Sequence, residues 1–297
     1  MTREYKKGIT VLIPAHGNCE YLTETLQSLA DSQLLPDEIL VINDGIESDL
    51  LAVVSKNFPS VKFIPNNGKG LVDGLNTGLA LASYDLVARL DADDCALPER
   101  LRIQEKFMRE NPDVSLIGSQ VKYIDTSSRE IGESKYLLGD ITNETQKGER
   151  CLLAHPSVMY RTASVLEVGG YRKVFTVMNV NLAEDFDLWV RLSRVGKVFN
   201  LEESLTLYRQ HPGQLSMVHR GPQEMASYYI RAISILENTP GKRAELLNIG
   251  SSADAKRSIA FIRNILGFRV SLKYRIEVLS YFGKINSYLR RLLIRFI

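Results

Sequence analysis

The feature that most constrains the fold is an alternation of strand and helix patterns over roughly the first hundred residues. Short apolar runs of the buried-strand type recur between segments with helical periodicity: Ile9–Ile13, Glu38–Ile42, Val61–Ile64 and Leu86–Leu90. Such alternation predicts an α/β fold, in which parallel strands are joined by right-handed helical crossovers. At 297 residues, the chain has room for this domain and for a smaller additional part.

Polar residues follow three of these runs, at the point where each strand is expected to end. They come after Ile13, after Ile42 and after Leu90. Ligands of open α/β sheets bind outside the carboxyl ends of the strands. The three clusters therefore predict a single site at one edge of the sheet.

The most informative of these clusters is Asp91-Ala92-Asp93-Asp94. Carboxylates two residues apart at a strand end can share one hard cation, and the cation can in turn hold a diphosphate. The alternative is that Asp93 or Asp94 caps the helix that begins near Pro98. The position of the segment at the predicted ligand edge favours the metal site.

Asp44 and Lys69 follow the second and the third strand. The Asp44 carboxylate can accept hydrogen bonds from a nucleotide base or ribose, or the segment Asn43–Gly45 is simply a turn. Lys69, which has a glycine on each side, can meet a phosphate as a point charge, or it is a solvated loop residue. The sequence alone leaves both pairs of alternatives open.

Two acids, Glu184 and Asp185, stand at the start of a segment with the pattern of an amphipathic helix. Acids in a first helical turn interact favourably with the helix dipole. Because Leu188 and Trp189 would hold that turn against a core, a carboxylate there can also serve as a general base. His211 is a further candidate metal ligand, since a cation held by an aspartate pair needs additional ligands.

Composition excludes several classes of protein. A net charge of +2 is too balanced for a nucleic-acid binder, so we expect no nucleic-acid partner. The scattered cysteines Cys19, Cys95 and Cys151 indicate reduced thiols in a cytoplasmic protein. The first residues lack the apolar stretch of a signal peptide, and no apolar run is long enough to span a membrane.

The C-terminal part has a different character. Gly221-Pro222 marks a predicted boundary between residues 1–220 and a basic helical extension over residues 221–297. Within it, residues 273–297 combine the spacing of an amphipathic helix with Lys and Arg on one face, which suits an anionic membrane surface. That alternative predicts a peripheral protein on the cytoplasmic face of the inner membrane. The other alternative is a helix that packs on the domain with its charges solvated.

Eight motifs follow one another along the chain: Val11-Leu-Ile-Pro-Ala15, Asn43-Asp-Gly45, Gly74-Leu-Asn-Thr-Gly78, Arg89-Leu-Asp-Ala-Asp-Asp94, His155-Pro-Ser157, Gly169-Gly-Tyr171, Glu184-Asp-Phe-Asp-Leu-Trp189 and Tyr208-Arg-Gln-His211. In their order and spacing they resemble glycosyltransferase family 2, from about Ile9 to Ser216. The resemblance implies a GT-A fold, a Rossmann-like, mostly parallel sheet flanked by helices. Residues 1–95 would form the donor half and 96–220 the acceptor half. Leu-Asn in the third motif and the arginine before the aspartates resemble bacterial transferases for surface polysaccharides, such as O-antigen and capsule.

The resemblance also implies a role for each matching residue. The expected donor-binding residues lie at strand ends and in the loops that follow: Pro14, Ala15, Asp44, Lys69, Asn76, Asp91 and Ala92. Asp93 and His211 are expected to hold Mn²⁺ or Mg²⁺ against the donor diphosphate. Asp185 is the expected catalytic base, while Glu184 and Trp189 are expected to shape the acceptor site.

The implied activity is inverting transfer of a hexose from UDP-glucose or UDP-galactose. The expected acceptor is a glycan or a polyprenyl-diphosphate-linked sugar, and the product has a β-linkage. One alternative is a non-catalytic protein that binds nucleotide sugars or carbohydrates on the same fold. Another is a sugar-nucleotide pyrophosphorylase, although such enzymes usually carry a glycine- and arginine-rich loop after the first strand, which Ala15–Cys19 does not resemble.

Overall fold

The computed structural model describes residues 4–17, 19–68, 70–174, 176–177 and 180–214, together with 226–227, 230–231 and 234. The chain divides into two compact units. The first contains Met1–Lys173 and Glu184–His211, and the second contains Val174–Ala183 and Pro212–Ile297. Every candidate site residue that the structure describes lies in the first unit.

The first part of this unit is the predicted alternation of strands and helices: β1 (Lys6–Ala15), α1 (Leu22–Ala30), β2 (Glu38–Asn43), α2 (Ser48–Asn57), β3 (Lys62–Pro65), α3 (Leu71–Leu81) and β4 (Tyr84–Arg89). The four strands are parallel and lie in the order β3-β2-β1-β4. The run Ile9–Ile13 is buried throughout because core clusters cover both faces of β1. The α/β prediction is confirmed.

The remaining elements are more varied: β5 (Cys95–Ala96), α4 (Arg100–Glu110), β6 (Val114–Ile124), β7 (Glu130–Glu133), β8 (Gly139–Asp140), α5 (Thr142–Gln146), β9 (Met159–Arg161), α6 (Thr162–Glu167), β10 (Thr176–Val177), β11 (Val180–Asn181), α7 (Glu184–Leu192) and β12 (Lys197–Arg209). A 3₁₀ turn over His155–Ser157 precedes β9. In the second unit, β10 and β11 pair as a hairpin. The other strands form one ten-stranded sheet of order β3-β2-β1-β4-β9-β6-β12-β5, with β7 beside β6 and β8 beside β12.

The longer strands of this sheet point in one direction. β9 is antiparallel to both β4 and β6, so β6 and its parallel neighbour β12 run the same way as β1 to β4. Only β9 and the short strands β5, β7 and β8 are reversed among the described strands of the sheet. The carboxyl ends of β1, β2, β4 and β12 therefore lie at one edge, which is where ligands bind in such sheets.

Helices cover both faces of the sheet. α1 and α4 contribute to one core cluster, and α3 and α7 contribute to the other. α3 approaches β1 so closely that a Cβ added at Gly78 would lie 2.1 Å from Leu12 Cδ1. A larger residue at position 78 would displace the buried Leu12 side chain, so the glycine that closes the Gly74–Gly78 motif lets α3 lie this close to β1.

The predicted C-terminal extension falls almost entirely outside the described residues, and residues 273–297 fall wholly outside them. The amphipathic helix, the anionic membrane surface, the cytoplasmic location and the boundary after residue 220 stay predictions. Within the part of the chain that the structure describes, no helix is both long and apolar enough to cross a membrane.

Candidate active site

The segment Asp91–Asp94, which we call the acid loop, follows β4 at the ligand edge of the sheet. One carboxylate oxygen each from Asp91, Asp93 and Asp94 lies within 4.8 Å of the other two. The capping alternative receives no support, because α4 has Glu99 at its N-cap and no side-chain capping bond is formed there. The carboxylates of the acid loop therefore form a cluster of negative charge, and they do not cap α4.

Asp94 has the environment that most favours a cation. Its side chain is 0% exposed, and one oxygen accepts a hydrogen bond from the main-chain N–H of Arg209 at 2.7 Å. The other oxygen, Oδ2, is buried without a hydrogen-bond partner among the described residues. Burial and the charges of Asp91 and Asp93 raise the pKa of Asp94 well above its ordinary value. A divalent cation would satisfy that oxygen and offset the repulsion, so the residues fit the predicted metal.

His211 reaches the acid loop from beyond the end of β12. Its Nε2 lies 2.9 Å from Asp93 Oδ2. Because an ionised carboxylate can only accept, Nε2 carries the proton in this arrangement. A cation bound between the two side chains would replace that proton. The structure thus brings together the two residues predicted as ligands, and it adds Asp94, which the prediction did not include.

A buried guanidinium lies beside the acid loop. Arg89, the last residue of β4, is 2% exposed and donates to both carboxylate oxygens of Asp91, through Nη1 at 2.6 Å and through Nη2. Burial, together with the charges of Asp93 and Asp185, raises the pKa of Asp91 to about 6 against the opposing charge of Arg89. Arg89 therefore fixes the orientation of the predicted donor-binding residue Asp91.

Asp44, which follows β2, forms hydrogen bonds with the loops that follow β1 and β3. Its carboxylate oxygens accept hydrogen bonds from Asn66 Nδ2 at 2.9 Å and from the Gly70 N–H at 3.1 Å. His16 Nδ1 lies 2.6 Å from the main-chain carbonyl oxygen of Asp44, and it must donate because a carbonyl only accepts. His16 and Asn66 were not predicted as site residues. Both follow a strand, so the strand-end rule could have found them.

The other predicted donor residues are placed as follows. Pro14 and Ala15 are the last two residues of β1. The main-chain carbonyl of Ala92 accepts a hydrogen bond from Thr25 Oγ1 at 3.0 Å, which anchors the acid loop to α1. Lys69 lies outside the described residues, so its contact with a phosphate stays a prediction.

Both polar atoms of the Asn76 side chain bond to the main chain of Tyr171. Nδ2 donates to the Tyr171 carbonyl at 2.9 Å, and Oδ1 accepts the Tyr171 N–H at 2.9 Å. Gly170 has φ +69°, and a Cβ added there would lie 2.6 Å from Asn76 Oδ1. Asn76 therefore joins α3 to the loop around Tyr171, while its predicted contact with the donor stays a prediction.

The second acidic group begins α7. The preceding residue, Ala183, has φ +58°, a conformation that residues other than glycine seldom adopt. Burial and, to a lesser extent, the charge of Asp185 raise the pKa of Glu184 to about 8. Burial also raises the pKa of Asp185, although its Oδ1 accepts the Phe186 N–H at 2.7 Å, which favours the ionised form. Asp185 is therefore the member of the pair that ionises first and the better candidate for a base.

The two acidic groups are close enough to interact. The charge of Asp185 raises the pKa of Asp91, and the charge of Asp91 raises that of Glu184. Arg89 lowers the pKa of all three. The fold thus brings the predicted metal-binding acids and the predicted base into one site, with a single buried arginine stabilising the charges of both groups.

His155 and Trp189 lie next to Glu184. His155 Nε2 is 2.9 Å from the Tyr171 hydroxyl, and Nδ1 is 3.9 Å from Glu184 Oε1. Burial lowers the pKa of His155 well below its ordinary value, so the ring is neutral. Trp189 is 1% exposed and meets the His155 ring edge-on, with 5.6 Å between the ring centroids. Trp189 is thus a core side chain, and its predicted contact with the acceptor stays a prediction.

The raised pKa of Glu184 predicts a pH-dependent loss of stability. The folded state, with a Glu184 pKa of about 8, holds the proton more tightly than the unfolded state, with a pKa of 4.5. The free energy of unfolding therefore falls as the pH rises from the unfolded-state value to the folded-state value. Glu184→Gln removes this loss, so we expect the variant to exceed the wild type at about pH 8 by on the order of 3 kcal/mol. Urea unfolding across pH, in EDTA, measures the difference.

The exposed Glu202→Gln serves as the control and should keep the wild-type pH dependence. If the unfolding free energy of Glu184→Gln follows the same pH dependence as the wild type, Glu184 does not hold its proton in the folded state.

Comparison with known proteins decides the family. The sequence profile of the family described as Glycosyl transferase family 2 matches residues 10–169, more than half of the chain. The chain belongs to glycosyl transferase family 2. The O-antigen biosynthesis glycosyltransferase WbnJ of Escherichia coli is 28% identical over 230 residues, which are 75% of this chain and 87% of WbnJ.

Two further comparisons are informative. The UDP-Gal:alpha-D-GlcNAc-diphosphoundecaprenol beta-1,3-galactosyltransferase of E. coli is 30% identical over 175 residues, 58% of this chain and 62% of that protein. The crystal structure of S. aureus TarS 1-349 in complex with UDP-GlcNAc superposes with a TM-score of 0.62 at 19% identity, covering 93% of this chain and 80% of TarS 1-349. At that identity the likeness shows the fold, and it confirms the GT-A prediction.

Proposed function

We propose that this family 2 chain is an inverting, metal-dependent hexosyltransferase of surface-polysaccharide synthesis. The donor would be a UDP-hexose, UDP-glucose or UDP-galactose, and the acceptor a glycan or a polyprenyl-diphosphate-linked sugar. The names of the two E. coli relatives support this choice of donor, acceptor and pathway class. The observation that carries the proposal is the presence of two acidic groups, the acid loop and the Glu184–Asp185 pair, within one site.

Each group has one task in the proposed reaction. Asp185 accepts the proton of an acceptor hydroxyl, and the hydroxyl oxygen forms a bond to the anomeric carbon as the bond to the diphosphate breaks. Attack from the face opposite the diphosphate converts an α-linked donor into a β-linked product. Asp93, Asp94 and His211 would hold Mn²⁺ or Mg²⁺, and the cation would supply positive charge to neutralise the diphosphate leaving group.

The neighbouring residues prepare these groups. Arg89 holds Asp91 in a fixed orientation beside the acid loop. The Phe186 N–H favours the ionised form of Asp185, while the higher pKa of Glu184 keeps that acid protonated near neutral pH. Two carboxyl groups side by side therefore differ in charge, and only one of them is ready to accept a proton.

The proposal is tested by nucleotide release from a panel of sugar nucleotides, with Mn²⁺ and with EDTA. We expect UDP to be released from one UDP-hexose in the presence of Mn²⁺, with an acceptor sugar increasing the rate. A binding protein would retain the donor without releasing UDP, even with lipid-linked acceptors present. A pyrophosphorylase would instead consume added pyrophosphate and form UTP, and either of these outcomes would refute the transferase.

A further inference from the structure

Arg209, the last residue of β12, contacts the acid loop at two consecutive residues. Its main-chain N–H donates to Asp94 Oδ1 at 2.7 Å, and its Nε donates to the main-chain carbonyl of Asp93 at 2.8 Å. One residue thus holds the side chain of Asp94 and the backbone of Asp93. The reaction proposed above gives Arg209 no part.

The far side of the guanidinium is bonded to α1 and to the turn between β6 and β7. Nη2 donates to Glu24 Oε2 at 2.7 Å, and Nη1 donates to the Asp125 carbonyl at 3.0 Å and to Ser128 Oγ at 2.9 Å. Ser128 Oγ in turn donates to Glu24 Oε1 at 2.8 Å, and the Tyr21 ring lies 4.1 Å from Arg209 Cζ. All three guanidinium nitrogens bond to the protein and the side chain is 0% exposed, so Arg209 contacts the loop rather than a ligand.

The acid loop needs a support of this kind because its carboxylates repel one another. Oxygens of Asp91, Asp93 and Asp94 lie within 4.8 Å, and repulsion between like charges is stronger in a partly buried site than in water. A loop free to relax would separate these oxygens, and a cation would then have to reassemble them. The planar guanidinium can hold the Asp93 carbonyl through Nε while its other nitrogens bond to α1 and to the turn between β6 and β7, which a point charge cannot do.

We propose that Arg209 is a positioning residue that holds Asp93 and Asp94 ready for a divalent cation, and that Glu24 acts through Arg209. The inference rests on the metal site of the proposed function. Because Arg209 touches neither the cation nor the sugars in this scheme, its loss weakens cation binding and leaves the KM for the acceptor unchanged.

The test compares Arg209→Lys with Arg161→Lys in the full-length protein. Arg161 is a matched control because it also donates to main-chain carbonyls, through Nε and Nη2, from a strand position paired with Leu86 near the start of β4. Electron paramagnetic resonance of free Mn²⁺ gives the Kd without requiring turnover. We expect Arg209→Lys to raise the Mn²⁺ Kd by about tenfold or more, as other supports of metal ligands do. Arg161→Lys should lower the melting temperature and leave the Kd unchanged.

Glu24→Gln tests the same idea if Arg209→Lys does not fold, because the Glu24 side chain is 43% exposed. We expect its Mn²⁺ Kd to rise by about threefold, less than for Arg209 because Glu24 is one contact further from the ligands. Glu105→Gln, which disrupts the pair with Arg109 on α4, is the control and should bind Mn²⁺ as the wild type does. Wild-type affinity in both folded test variants would overturn the role of Arg209. Failure of the wild type to bind Mn²⁺ would overturn the metal site itself.

Discussion

Asp185→Asn is expected to lower kcat for sugar transfer by about 10³-fold while changing the Kd for the nucleotide sugar by less than about threefold. The asparagine keeps the shape of the side chain, and its Oδ1 can still accept the Phe186 N–H, which lies 2.7 Å from that oxygen in the wild type. It cannot take a proton from the acceptor hydroxyl. The loss should therefore appear in turnover, whereas donor binding depends on groups that remain in place.

Single-turnover kinetics with saturating donor and acceptor, together with calorimetry of donor binding, separate the two effects. Glu184→Gln is the matched control because Glu184, with a pKa of about 8, is mostly protonated near neutral pH and resembles glutamine in charge. We expect its kcat to stay within about tenfold of the wild type. A larger loss in Glu184→Gln than in Asp185→Asn would assign the base to Glu184 instead.

The second large effect is expected at the acid loop. Asp93→Ala should raise the Kd for Mn²⁺ by at least about 100-fold and reduce Mn²⁺-dependent UDP release to the level in EDTA. The substitution removes one carboxylate from the cluster and also the partner of His211 Nε2, 2.9 Å away. Two of the proposed ligand positions are therefore affected by one change.

Asp113→Ala is a suitable control for Asp93→Ala because it removes one negative charge from a surface ion pair with Lys197. It should bind Mn²⁺ and release UDP as the wild type does. Mn²⁺ titration followed by magnetic resonance and UDP release measured over a range of Mn²⁺ concentrations provide the two readouts. Tight Mn²⁺ binding by Asp93→Ala would move the metal site away from the acid loop.

The sequence predicts the first four strands and the ligand edge because both depend on local patterns. An apolar run such as Ile9–Ile13 is a short-range signal, and the strand-end rule converts it into the location of a site. β12 was not predicted because Glu202 and Glu203 interrupt its apolar alternation. In the structure the pairing of β12 with β6 is irregular at the same place, between Asn200 and Ser204. The three-residue strand β9 is too short for periodicity to reveal it.

The site was predicted less completely than the fold because burial of charge is a property of the assembled structure. Asp93 and Asp94 are neighbours of one residue type, and only the structure shows that Asp94 is the buried one. The same holds for Arg209, whose partners Glu24 and Asp125 are far away in the chain. Sequence motifs identify such residues as candidates, whereas their contacts follow from strand order and register.

The two hydrogen bonds between the Asn76 side chain and the Tyr171 main chain limit how segments can be exchanged between family members. Tyr171 takes part through its backbone, so these bonds would survive another side chain at position 171. Gly170 is different, because an added Cβ would lie 2.6 Å from Asn76 Oδ1. A chimera with a junction between positions 76 and 170 separates these two residues in origin. If position 76 is an asparagine, the chimera is compatible with the fold only when the parent that supplies position 170 has a glycine there.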